Sequence, residues 1–200
     1  MGEPDLVPYL TSIMGAKPDA VIFCTGGASM TNALKALKAT GMVAKIPSWI
    51  HTAIDHAVLK PLAAEAPEGV MGTIQYLFYY PETPENKAFV DSFQKAYGNP
   101  PGFPAFDAYL TAQFIAEGFK KAGAIDREKF IDALEGLKVK NPVGGLVEMR
   151  ACDHQAVYPM YFGVTKKDPK NNFVIANDIV TLSGNEVMPT CDEIQKARGK

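Results

Sequence analysis

The stretch from Pro18 to Gly41 constrains the fold more than any other part of the sequence. An apolar run at 20–24 ends in a turn that contains Gly26 and Gly27, and a segment with helical periodicity follows. The apolar residues of that segment recur at intervals of three and four, so they share one helix face. A buried strand that leads into a helix is the repeating unit of a parallel α/β sheet. The stretch therefore predicts an α/β fold whose loop at 25–29 lies where such sheets bind ligands.

Local chemistry in this stretch supports further predictions. Ser29 or Thr31 has a hydroxyl that is able to cap the helix, and Cys24 in the apolar run is expected to be a packed thiol. The Gly26-Gly27 loop has three interpretations: a tight turn that needs glycine, a ligand-binding loop, or a phosphate cradle. The cradle is the least favoured, because the loop matches neither GxGxxG nor a lysine-containing P-loop.

The remaining chain continues as alternating elements and then as helices. The predicted helices cover 4–17, 29–40, 53–65, 85–97, 105–121 and 126–137. The predicted strands cover 20–24, 45–51, 69–79 and 144–149, with a hairpin formed by 159–165 and 173–182. The tail at 189–200 is polar, and we expect it to be loose.

Composition and charge exclude several classes of function. The net charge of −2 does not favour binding to nucleic acid. The three cysteines form no CxxC pair, so we expect neither a metal site nor a cofactor.

Asp153 and His154 invite a catalytic interpretation, but no serine or cysteine lies in a nucleophile motif such as GxSxG. We therefore predict that the protein is not an enzyme.

The order of elements resembles the C-terminal portion of type I periplasmic binding proteins of the branched-chain amino acid ABC transporter family. Five segments carry the resemblance, which covers roughly residues 3–190: DLVPYLTSIMGAKPDAVIF, PENKAFVDSFQKAYGNPP, AFDAYLTAQFIAEGFKKAG, DREKFIDALEGL and MRACDHQAVYPMYFGVTKK. The resemblance implies parallel sheets with flanking helices in two lobes that are joined by three crossovers. It implies that 1–80 and 158–200 form part of the second lobe, and that 81–157 form the C-terminal part of the first.

The resemblance also implies a function. The chain is expected to be the extracytoplasmic solute-binding component of an ABC importer, which binds a small carboxylate-bearing or amino-acid-like solute between two lobes. Its partners would be the solute and the membrane permease subunits. The chain itself would act in the periplasm or outside the cell, although no signal peptide is visible in this sequence. A ligand-sensing receptor domain of the same fold is the alternative, and a flavodoxin-like enzyme is less favoured. The architecture is expected to be incomplete, and the 200 residues alone are expected to bind ligand weakly.

By resemblance, the ligand contacts of the second lobe come from two loops. The first loop supplies Thr25, Gly26, Gly27 and Ser29, and the end of the next strand supplies Trp49 and His51. Amino-acid-binding members have an aromatic residue near Gly26 and an acidic residue near His51, and both are missing here. A ligand with an aromatic or acyl body and a carboxylate is therefore expected to suit Trp49 and His51 better than an α-amino acid.

Two pairs of residues remain outside this site. Cys152 and Cys191 are able to form a disulfide if the chain matures in an oxidising compartment, and spacing alone leaves this open. Asp55 and His56 lie on the helix predicted after the second strand, and we expect them to be solvated.

Overall fold

A computed structural model describes residues 4–199. This part of the chain divides into two compact units. Unit 1 consists of residues 4–74 and 161–181, and unit 2 consists of residues 75–160 and 182–199. The chain therefore passes from one unit to the other three times.

Helices and strands alternate up to Ile74, and helices then dominate up to Leu134. The α-helices are α1 (Val7–Ala16), α2 (Gly27–Thr40), α3 (His56–Leu62), α4 (Pro84–Tyr97), α5 (Phe103–Ala122), α6 (Arg127–Leu134), α7 (Gly184–Val187) and α8 (Cys191–Ala197). The strands are β1 (Val21–Phe23), β2 (Ser48–Ile50), β3 (Met71–Ile74), β4 (Lys138–Lys140), β5 (Leu146–Met149), β6 (Ala156–Val157), β7 (Met160–Asp168) and β8 (Phe173–Leu182).

Unit 1 is built on a five-stranded sheet with the order β1-β2-β3-β7-β8. The first three strands are parallel, and β7 runs antiparallel to β3. Helices α1, α2 and α3 form a core with the sheet face that carries Phe23 and Ile50. The predicted alternation of strands and helices is confirmed in this unit, and so is the predicted position of the β7–β8 hairpin. The carboxyl ends of β1, β2 and β3 consequently lie at one edge of the sheet.

The prediction that Cys24 is a packed thiol is wrong, since its side chain is exposed and free. Ile22, two residues earlier, is 68% exposed. The reason is the position of β1, which is the outermost strand of the sheet and packs on the core with the face that carries Val21 and Phe23. Alternate residues of a strand point to opposite faces, so Ile22 and Cys24 face away from the helices.

The prediction that Asp55 and His56 are solvated is also wrong, since they are only 2% and 6% exposed. The Asp55 carboxylate accepts a hydrogen bond from the backbone N–H of Ala57 at 3.1 Å and thereby caps α3. The Nδ1 atom of His56 lies 3.2 Å from the same carboxylate. This pair therefore stabilises the start of a helix rather than facing solvent.

Unit 2 packs helices against a small antiparallel sheet with the order β4-β5-β6. Its core contains Tyr76, whose ring stacks on Phe106 at a centroid distance of 4.9 Å. The Tyr76 hydroxyl donates to Asn86 Oδ1 at 3.1 Å. The predicted helices of this region agree with α4, α5 and α6 to within a few residues, whereas β4 and β6 were not predicted because two or three residues carry no periodic pattern.

The C-terminal segment is ordered, in contrast to the expected loose tail. Capping boxes begin both α7 and α8, at Ser183 and Thr190. A disulfide joins Cys152 to Cys191, with a Cα–Cα distance of 5.8 Å. Residues 182–199 belong to unit 2. The assignment of 158–200 to the same lobe as 1–80 remains what the resemblance implies.

Candidate functional site

The carboxyl ends of β1 and β2 bring the predicted ligand-binding loops to the same edge of the unit 1 sheet. The two strands are parallel neighbours, in a register that pairs Ile22 with Trp49. The loop after β2 is also tied to α2, because the Thr52 hydroxyl donates to Met30 Sδ at 3.5 Å. We call this edge, consisting of residues 25–29, Trp49, His51 and Thr73, the strand-end site.

Helix α2 begins at the strand-end site without a side-chain cap. Its N-cap is Gly26 in an extended conformation, so the predicted capping by Ser29 or Thr31 is wrong. The Thr31 hydroxyl instead bonds back to the Gly27 carbonyl at 3.4 Å. Gly27 has φ +55, a conformation that favours glycine, and a side chain built there would meet no atom within 4 Å. The first N–H groups of α2 are thus left open to an external acceptor.

Thr25 provides a second polar group beside this helix start. Its Oγ1 atom is buried, and no hydrogen-bond partner contacts it within residues 4–199. A buried hydroxyl without a partner is costly and calls for an explanation such as a bound ligand or water.

Trp49 and His51 lie on the same face of β2, which is the face opposite to buried Ile50. Their rings are 6.3 Å apart, with an angle of 28° between the planes. His51 Nδ1 lies 3.0 Å from Thr73 Oγ1 on the neighbouring strand β3. Trp49 is partly exposed and His51 is exposed, so both rings are accessible from solvent.

The structure brings together some of the predicted site residues and adds one that the sequence missed. Trp49 and His51 stack, while Thr25, Gly26, Gly27 and Ser29 follow each other at the end of the adjacent strand. Thr73 was not predicted. Met71 of β3 pairs with Trp49, and Thr73 lies on the same face of β3 as Met71 because alternate residues of a strand share a face. The position of Thr73 beside His51 can therefore be predicted only when the pairing of β2 with β3 is known.

The Asp153-His154 pair does not form a catalytic arrangement. Asp153 accepts hydrogen bonds from Arg150, which lower the pKa of its carboxyl group, and from the backbone N–H of Gln155. His154 contacts Glu135 instead, with 2.9 Å between Nε2 and Oε1. The segment is therefore a hydrogen-bonded support of unit 2.

Residues 4–199 contain neither a candidate metal site nor a membrane-spanning helix. No group of three or more His, Cys, Asp or Glu side chains in this range is placed to hold a metal ion. None of the helices described there has the length and apolar character required to cross a bilayer.

The sequence is similar to that of a known bacterial binding protein. Over 145 residues the chain is 28% identical to the leucine-, isoleucine-, valine-, threonine-, and alanine-binding protein of Pseudomonas aeruginosa. The alignment covers 72% of this chain but only 38% of that protein.

Solved structures share the fold. An amino acid ABC transporter substrate-binding protein from Pseudomonas fluorescens superimposes with a TM-score of 0.78 and 24% identity, covering 96% of this chain and 51% of that one. A solute-binding protein of an ABC transporter from Rhodopseudomonas palustris, in complex with 3,4-dihydroxybenzoic acid, gives a TM-score of 0.76 and 23% identity. This match covers 90% of this chain and 49% of that one, so the chain spans about half the length of these structures.

The family assignment rests on a match that extends over most of the sequence. The family model described as "Periplasmic binding protein" matches residues 1–170, and this range includes every residue of the strand-end site. The fold of its solved relatives agrees with the parallel strands and flanking helices of unit 1. The chain therefore belongs to the periplasmic binding protein family.

Proposed function

We propose that this chain acts outside the cytoplasm as a solute-binding component of an ABC importer, and that the strand-end site contributes contacts to the solute. The observation that carries the proposal is the convergence of an uncapped helix start, a partnerless hydroxyl and two accessible rings at one sheet edge. Sites in open α/β sheets lie at this edge, and they combine apolar walls with a few polar groups. The partners would be the solute and the membrane permease subunits.

The chemistry of the site favours a carboxylate-bearing solute with an aromatic or acyl body. Trp49 offers a flat apolar wall. We infer that the Thr73 hydroxyl donates a hydrogen bond to His51 Nδ1, and in this tautomer Nε2 keeps its proton. An Nε2–H group at an accessible position is a suitable donor to a carboxylate oxygen.

The first acidic residue after His51 in the sequence is not available to an α-amino acid ligand. An ammonium group needs an anionic partner. Asp55 follows His51 by four positions, but it is buried and occupied by the start of α3 and by His56. In support of this choice, one fold relative was solved with 3,4-dihydroxybenzoic acid, whereas the curated relative is named for aliphatic amino acids.

A binding screen tests the proposal on the chain as it stands. Trp49 is the single tryptophan, so its fluorescence reports on the site directly. We expect benzoate, 4-hydroxybenzoate and hexanoate in excess to change this fluorescence and to raise the unfolding temperature, since a ligand stabilises the state that binds it. Leucine and valine should have little effect.

Variants of two histidines connect the binding to the site. His51→Ala should abolish the response to the acids, whereas His154→Ala in unit 2 should leave it unchanged. A response to leucine or valine with none to the acids would overturn the choice of ligand class. An equal loss of response in both variants would overturn the assignment to His51.

A further inference from the structure

Unit 2 contains a cavity of its own, apart from the strand-end site. It has a volume of about 300 Å³ and lies between α5, α6 and strands β5 and β6. Its walls are mostly apolar and come from Leu110, Phe114, Phe130, Leu134 and Met149. Small-molecule sites begin at roughly this size and have this kind of lining.

A carboxylate and a phenol lie in the wall of this otherwise apolar cavity. Asp107 is a half-buried residue of α5, and its Oδ2 atom accepts a hydrogen bond from Gln75 Nε2 at 2.8 Å. Tyr158, also partly buried, lines the same cavity.

The cavity wall contains the carboxyl group of Asp107 without a paired cation among residues 4–199. Burial raises the pKa of Asp107, and the hydrogen bond from Gln75 opposes this only in part. Burial and the neighbouring charge of Asp107 raise the pKa of Tyr158. Among residues 4–199, no Lys, Arg or His forms an ion pair with Asp107. A carboxylate in apolar surroundings is stabilised by a cation, and the described part of the chain supplies none.

We propose that this cavity is a second binding site, which takes a small molecule with an apolar or aromatic body and an ammonium group. The ammonium donates to Asp107 and to the Tyr158 hydroxyl oxygen, since both residues line the cavity. The body packs against Phe114 and Phe130, where it displaces water from apolar surface. This ligand is a cation, whereas the ligand expected at the strand-end site is a carboxylate. Either proposal can therefore fail without the other.

The test compares ligands of equal shape and different charge. Binding of benzylamine, benzyl alcohol and benzoate is measured by ligand-observed NMR and by titration calorimetry on the full chain carrying His51→Ala, because this variant removes the benzoate binding expected at the strand-end site. We expect benzylamine to bind and the two other molecules to bind at least tenfold more weakly, since charge-assisted hydrogen bonds are the strong ones. Equal binding of all three would overturn the role of the carboxylate.

Variants locate the benzylamine site. Asp107→Asn keeps an acceptor for Gln75 but removes the charge, and it should weaken benzylamine binding by roughly tenfold or more. Asp132→Asn removes the charge of an exposed α6 residue outside the cavity wall and should leave the affinity within about twofold.

A second variant, which blocks the cavity, tests the location of the site even if Asp107→Asn disturbs the fold. Thr111 is an exposed residue at the cavity wall, and Thr111→Phe fills space there while the carboxylate is retained. It should abolish benzylamine binding and leave the circular dichroism spectrum unchanged. Undiminished binding by a folded Thr111→Phe protein would overturn the location.

Discussion

His51 Nδ1 and Thr73 Oγ1 lie 3.0 Å apart, although 22 positions separate the two residues in the sequence. The contact exists because β2 and β3 are parallel neighbours that end at the same edge of the sheet. A histidine whose ring is held by a hydroxyl presents its second nitrogen in a defined direction. This one hydrogen bond thus fixes the orientation of an exposed imidazole ring.

Removal of the Thr73 hydroxyl should weaken ligand binding without unfolding the protein. Thr73→Val keeps the shape of the side chain but leaves the His51 ring without its partner, so we expect a loss of roughly threefold to tenfold in benzoate affinity, corresponding to one modest hydrogen bond. Fluorescence titration of Trp49 measures the change. Thr31→Val serves as the matched control, because the Thr31 hydroxyl bonds only to its own helix. The orienting role is refuted if both valine variants bind benzoate equally well.

The disulfide between Cys152 and Cys191 should stabilise the C-terminal segment of unit 2. The two cysteines are 39 positions apart, and the chain-entropy model gives about 4 kcal/mol of stabilisation for a loop of this length. We expect the Cys152→Ala, Cys191→Ala double variant to unfold at a lower urea concentration than the parent.

Cys24 provides the control for this experiment. It is exposed and unpaired, so Cys24→Ser should leave the urea midpoint unchanged. A thiol-reactive reagent should label Cys24 in the native chain, and all three cysteines after reduction and unfolding. Labelling of three thiols in the native, unreduced chain would show that the bond does not form.

The ion pair of Arg150 with Asp153 predicts a loss of stability in acid. The hydrogen bond from Arg150 lowers the pKa of the Asp153 carboxyl group relative to the unfolded chain. A carboxyl group of this kind stabilises the fold above its unfolded pKa of about 3.9, and the stabilisation disappears as the pH falls through the lower pKa of the folded state. Asp153→Asn should therefore destabilise the protein at neutral pH and have a smaller effect at about pH 3.

Urea unfolding at both pH values measures this dependence. Asp132→Asn is the matched control, because Asp132 is exposed on α6. If the penalty for Asp153→Asn were the same at both pH values, the pair would not be the source of the acid sensitivity.

Gly72 in β3 should not tolerate a side chain. A Cβ atom built on this residue would lie 2.8 Å from Ile54 Cγ2 and 2.9 Å from the Ile50 carbonyl oxygen. Backbone atoms do not move aside easily, so we expect Gly72→Ala to lower the free energy of unfolding by about 1–3 kcal/mol. Gly15→Ala in α1 meets no atom within 4 Å and should instead stabilise the protein by about 0.5–1 kcal/mol. Equal urea midpoints of the two variants would contradict the close packing at Gly72.

The local patterns of the sequence were sufficient for the elements and the fold class. Helical periodicity predicted most of the helices, and Asp126, the first residue of the helix predicted over 126–137, caps α6. The strand–turn–helix of β1 and α2 predicted a parallel α/β sheet, and the structure confirms it. These features depend on neighbours within a few positions, so a sequence displays them directly.

Tertiary structure decided burial, partners and boundaries. Cys24 and Ile22 are exposed because β1 is an edge strand, while Asp55 is buried because it caps α3. The contact of His51 with Thr73 and the enclosure of Asp107 require a known register and a known packing of helices. The sequence by itself thus determined which segments become strands and helices, because local hydrogen bonding and periodicity fix them. Only the folded chain decided which side chains meet, because those contacts join residues that are far apart in sequence.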